Sequence, residues 1–137
     1  MADDVILNKA ASIERCLQRI EEEYAGNEQN LVRNQTKQDA IVLNLQRACE
    51  TAIDLAMYVV SQRKLGVPQD SRDAFSLLQT AGILSADLAQ RMQRMVGFRN
   101  VAVHEYTRLN LEVVRTIITK QLDDFRIFSS TIVKACL

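Results

Sequence analysis

The sequence predicts an all-α protein, an antiparallel helical bundle of four long helices and one short one. Three observations point there. Turn formers are scarce: one Pro and four Gly in 137 residues are too few for many short strands. Apolar residues recur every three or four positions along long segments. The composition, 47% apolar and 25% charged, is that of an ordinary globular protein. The length suits one domain, residues 1–137, large enough to need no disulfide or metal staple.

The first helix carries the stripe Ile6, Ala10, Ile13, Leu17, Ile20 and Tyr24, and Gly26-Asn27 ends it. Residues 27–35 are polar and read as a loop. Thr36 is the predicted N-cap of the next helix, with Asp39 in its first turn. That helix runs to about Leu65 and carries two stripes. One is Ile41, Leu45, Ala48, Ala52, Leu55 and Val59, and the other is Val42, Cys49, Ile53, Ala56 and Val60. So wide an apolar surface makes it the central helix. Gly66-Val67-Pro68 closes it. A short helix over Ser71–Ala81 turns Phe75, Leu77 and Leu78 inward and stops at Gly82. Ser85 caps the fourth helix, which passes through Met92, Met95, Val96, Val101 and Val103. The last begins near Asn110. There Leu111, Ile118, Phe125 and Ile132 repeat every seven residues, as a core stripe does, with Val114 and Phe128 beside them.

Charge and cysteine usage narrow the function. Seventeen bases balance seventeen acids, which argues against a general nucleic-acid coat or a membrane-surface binder. The balance is uneven: residues 91–115 hold five arginines against Glu105 and Glu112, a net of +3. No apolar run approaches a membrane span. The opening Met1-Ala2-Asp3-Asp4 has acids where a signal peptide has bases. Cys16, Cys49 and Cys136 cannot all pair and lack C-x-x-C spacing, so free thiols in the cytoplasm are expected.

The residues suited to chemistry cluster around the single histidine, His104. Arg99, His104 and Tyr106 form the pattern R-x-x-x-x-H-x-Y. On a regular helix Arg99 and Tyr106 share a face, and Asn100 and His104 share a neighbouring one, so all four can line one groove. An Arg, a His and a Tyr suit a phosphodiester: a bidentate anion clamp, a proton carrier near neutral pH and a hydroxyl donor. The competing reading is a helix-end histidine with a surface arginine.

Stoichiometry favours chemistry shared between subunits. Metal-free RNA cleavage needs one group to deprotonate the 2′-hydroxyl and another to protonate the leaving 5′-oxygen. One His per chain supplies both roles only in a symmetric dimer. Gly97, costly in mid-helix, gives a partner backbone room to approach, or serves close packing within one chain. Glu50 and Asp54 present two carboxylates on one face of the central helix, with Arg47 near by. No E-x-x-H pair accompanies them, so they read as a solvated row or an ion-pair network rather than a metal site. No nucleotide-binding glycine loop or nucleophile elbow occurs, so no cofactor is expected.

The stretch Arg99-Asn100-Val101-Ala102-Val103-His104-Glu105-Tyr106 resembles the signature of the HEPN superfamily. More closely it resembles the HepT-like ribonuclease toxins of HEPN/minimal-nucleotidyltransferase toxin–antitoxin pairs. The likeness extends over nearly the whole chain, through Val5–Lys9, Ile13–Cys16, Val42–Glu50, Gly66–Pro68, Ser71–Phe75 and Met95–Asn100. It implies a helical homodimer joined through the motif helix and metal-independent cleavage of RNA. Arg99 and His104 match the catalytic pair and Asn100 the supporting polar position. Tyr106 matches the tyrosine that a cognate minimal nucleotidyltransferase antitoxin modifies with AMP. Glu105, at a free position, either raises the basicity of His104 or repels RNA phosphate. The reading of a different class is a non-catalytic nucleotide-binding or adaptor subunit of a nucleotidyltransferase complex.

Overall fold

The computed structural model describes residues 2–137, so Met1 of the acidic opening lies outside it. The described residues form seven α-helices: α1 (Ala2–Tyr24), α2 (Gln29–Val32), α3 (Gln35–Gln62), α4 (Ser71–Thr80), α5 (Ala86–His104), α6 (Leu111–Thr116) and α7 (Leu122–Cys136). A 3₁₀ turn, Tyr106–Arg108, follows α5, and a π-helical turn, Ile117–Gln121, joins α6 to α7. Among the described residues there are no strands, and the fold is the all-helical bundle that the sequence predicts.

The central helix is α3, which packs against α1, α2, α4, α5 and α7. Both of its stripes are buried, from Ile41 and Val42 through Val59 and Val60. From α1 come Ile6, Ile13, Leu17 and Ile20, and from α7 Phe125, Phe128 and Ile132. Phe128 meets Phe75 of α4 edge to face, with ring centroids 5.6 Å apart. The heptad stripe of the last helix is therefore core of its own chain. Two ion-pair clusters stitch the long helices together. Arg126 of α7 reaches Glu14 and Glu21 of α1 at 3.0 and 2.6 Å, and Arg91 of α5 holds the buried Asp124 of α7 at 3.0 Å.

Three details depart from the sequence reading. The polar stretch 27–35 holds a helical turn, α2, because Leu31 is apolar and fully buried beneath it. The sharp entry uses left-handed backbone at Ala25 and Gly26. The cap of α3 is Asn34, not Thr36: the Asn34 side chain accepts from the Lys37 amide at 3.0 Å, and Thr36 is already helical. Asn34→Ala is expected to lower stability by about 1 kcal/mol, and Thr36→Ala by under about 0.5 kcal/mol, in paired chemical denaturations. Third, the π turn adds a residue to the last helix, which brings the adjacent Ile117 and Ile118 both into the core.

Candidate active site

Helix α5 carries the motif. Ser85 caps it, accepting from the Leu88 amide at 3.1 Å, and Leu88, Ala89, Met92, Met95, Val96, Phe98 and Ala102 bury its inner side. This anchoring makes the end of α5 a rigid mount for Arg99, Asn100 and His104.

Arg99 is half-buried and directed at its neighbours in the bundle. Its guanidinium meets the Ser71 hydroxyl of α4 at 3.4 Å, and its charge is felt by the Cys49 thiol of α3. Its Nε is buried without a hydrogen-bond partner. Among the described residues no carboxylate pairs with Arg99, whereas Arg19, Arg91, Arg115 and Arg126 are each held by two or three. A half-buried cation left without a counter-ion is a ready anion site.

His104 is the last residue of α5 and is exposed. Asn100, one turn earlier, is half-buried on the same face, as is Gly97. Arg99 and His104 lie five residues apart, which separates their side chains by about 140° around the helix axis. A Cβ at Gly97 would stand 3.0 Å from the Arg72 guanidinium of α4, the far end of a flexible side chain, so a contact within the chain accompanies the room Gly97 leaves on this face. Arg72 had no distinguishing signal in the sequence, since its approach to α5 depends on how α4 docks.

Tyr106 departs from the helical expectation. Helix α5 ends at His104, Glu105 leaves helical geometry at φ −140°, and Tyr106 starts the 3₁₀ turn. Its hydroxyl donates to the Asp39 carboxylate of α3 at 2.9 Å. Partial burial and that carboxylate push the phenol above its ordinary range. A group whose folded pKa is raised stabilises the fold fully below its unfolded value, about 10, and loses that contribution as pH rises through the folded value. Alkaline titration followed by phenolate absorbance should therefore show one late-ionising tyrosine, which Asp39→Asn returns toward the ordinary range. Glu105 pairs with Arg108 at 3.5 Å.

The remaining candidates carry less. Glu50 is half-buried and accepts from Gln46 at 3.2 Å, Asp54 and Arg47 are exposed, and among the described residues no ion pair joins the three, which favours a polar row over an ion-pair network. No group of three potential metal ligands occurs among the described residues. All three cysteines are free, and burial pushes the thiols of Cys16 and Cys49 up, away from the reactive thiolate. Beside the motif, a groove of about 520 Å³ runs between α5 and α6, floored by Phe98, Val101 and Ile117 and flanked by Arg94 and Arg108.

The sequence from residue 13 to 132 matches the family described as ribonuclease HepT-like. The chain belongs to the ribonuclease HepT-like family. The mRNA nuclease HepT of Shewanella oneidensis is 42% identical over 130 residues, 95% of this chain and 97% of that protein. A tri-AMPylated HEPN toxin of the same organism, solved in complex with an MNT antitoxin, superposes with a TM-score of 0.90 at 43% identity, over 96% of this chain and 98% of that one. A toxin–antitoxin structure with AMP-PNP gives a TM-score of 0.91 at 42% identity, over the same shares. A HepT-like bundle thus carries Arg99 and His104 at the end of one long, well-anchored helix and Tyr106 in the turn that follows.

Proposed function

We propose that this chain is the toxin of a toxin–antitoxin pair, a metal-independent endoribonuclease whose homodimer, joined through α5, builds one active cleft. The observation that carries the reading is Arg99, a guanidinium held in the bundle with no carboxylate among the described residues to neutralise it, five residues before the only histidine of the sequence. The relatives support it: one is an mRNA nuclease, and another is a HEPN toxin solved AMPylated with its antitoxin. Among the described residues no helix is long and apolar enough to cross a membrane.

In the mechanism, one His104 takes the proton of the ribose 2′-hydroxyl as its oxygen bonds to phosphorus. The partner subunit's His104 donates a proton to the departing 5′-oxygen. Arg99 stabilises the charge that builds on the non-bridging oxygens. Asn100, on the His104 face, offers its amide to substrate or imidazole. The products are a 2′,3′-cyclic phosphate and a 5′-hydroxyl. The roughly 140° between Arg99 and His104 on one helix suits a cleft completed by a second copy.

Tyr106 is the AMP acceptor. An adenylyl group there, two residues past His104, places a bulky anion at the cleft mouth and competes with RNA for Arg99. The cognate minimal nucleotidyltransferase is the antitoxin that installs it.

The test is incubation of the purified, unmodified chain with RNA in EDTA, followed by mapping of the cut ends. Cleavage that persists and leaves cyclic phosphates is expected. Intact RNA, with intact mass confirming the absence of AMP, would instead favour the nucleotide-binding subunit.

A further inference from the structure

Asp39 lies in the second turn of α3, far in sequence from the motif, yet its Oδ1 accepts from the Tyr106 hydroxyl at 2.9 Å. The same oxygen accepts from Gln35 Nε2 at 2.7 Å, which pins the carboxylate against the start of α3. Asp39 has no ion pair among the described residues. Its charge is the one that bears on the Tyr106 phenol. The ring remains 43% exposed, within reach of an incoming nucleotide.

We propose that Asp39 positions the Tyr106 hydroxyl and takes up its proton when that oxygen accepts AMP. The proposal rests on the reading of Tyr106 as the acceptor. A phenol has one hydrogen to donate and two lone pairs. Giving the hydrogen to Asp39 leaves both lone pairs for an incoming phosphorus. The antitoxin supplies a nucleoside triphosphate. Tyr106 Oη bonds to its α-phosphorus, the bond from that phosphorus to the bridging oxygen breaks, and pyrophosphate leaves with the electron pair. As the new bond forms, the phenolic hydrogen becomes strongly acidic and passes to Asp39 Oδ1, which later releases it to water. A carboxylate is a weak base for a free phenol, so the proton moves late in this step.

The product cannot keep the original contact. Tyr106 Oη then carries no hydrogen, and the attached phosphodiester is an anion beside the regained Asp39 carboxylate. AMP addition therefore exchanges an attractive tie between α3 and the 3₁₀ turn for a repulsive one, and the modified ring turns away from α3.

The test compares wild type, Asp39→Asn and Tyr106→Phe as substrates of the cognate nucleotidyltransferase with ATP, read by intact mass over a range of pH. Asparagine still accepts the hydrogen bond through its Oδ1 but cannot take the proton. Asp39→Asn should lower the maximal rate of AMP addition about a hundredfold while the KM for ATP holds. Its rate should climb with pH toward the phenol's own titration, where wild type is flat. Unchanged melting of Asp39→Asn separates this from misfolding. A wild-type rate and pH profile in Asp39→Asn overturns the role of Asp39 alone. AMP addition to Tyr106→Phe at the wild-type rate overturns the assignment of Tyr106, and the role of Asp39 with it.

Discussion

Replacing His104 with alanine is expected to lower RNA cleavage about 10⁴-fold or more, with melting temperature and oligomeric state unchanged. A positioned general acid or base contributes about 10² to 10⁴. This chain has one histidine, so in the proposed dimer one substitution removes the acid and the base together. Stability should not follow, because His104 is the exposed last residue of α5 and makes no side-chain hydrogen bond among the described residues. Mixed dimers sharpen the prediction. A wild-type subunit paired with a His104→Ala subunit keeps one of the two proton carriers, so cleavage should fall about a hundredfold or more below wild type. If each subunit worked alone, the mixed dimer would keep half the activity. Cleavage by wild type and mixed dimers under identical conditions decides between one shared cleft and two independent sites.

The parts of this molecule that local chemistry determines were legible in the sequence. Three- and four-residue spacing marked the inner faces of α1 and α3, and Ser85 and Asn110 cap the helices that follow them. Arg99, Asn100 and His104 lie on one helix because that segment is helical for its own reasons, a strong cap and a continuous buried stripe. The reading lost its grip where distant segments meet. Helical geometry placed Tyr106 on the Arg99 face, but the helix stops two residues short of it and the hydroxyl turns to Asp39 on another helix. Asp39 was visible only as an acid near a helix start. Nothing local distinguishes a carboxylate that completes a site from one that favours a helix dipole. Thr36 lost the cap of α3 to Asn34 for a similar reason: both are good caps, and the buried Leu31 sets where the chain turns. The π turn has no local signature either, since its extra residue serves the packing of Ile117 and Ile118.

Arg99→Met should cut cleavage about 10²- to 10³-fold and leave the protein as stable as wild type or more so. Both halves follow from the same observation. Among the described residues the Arg99 guanidinium has no carboxylate, its side-chain hydrogen bond is the long 3.4 Å one to Ser71, and its Nε is buried unpaired. A buried donor without a partner costs about 1–3 kcal/mol, so a methionine of similar reach relieves a penalty while keeping the packing. The rate falls because a preorganised donor aimed at developing phosphorane charge typically contributes about 10² to 10³. Arg99→Lys separates charge from geometry. It keeps the cation but loses the planar fork that grips two non-bridging oxygens at once, so it should recover only a small part of the rate. Paired melting curves and cleavage rates for the three proteins test this. A melting temperature that drops by several degrees in Arg99→Met, with cleavage intact, would make Arg99 a structural residue and move the anion site elsewhere. A rate that collapses while the melt holds or rises identifies strain kept in the fold for the sake of the reaction.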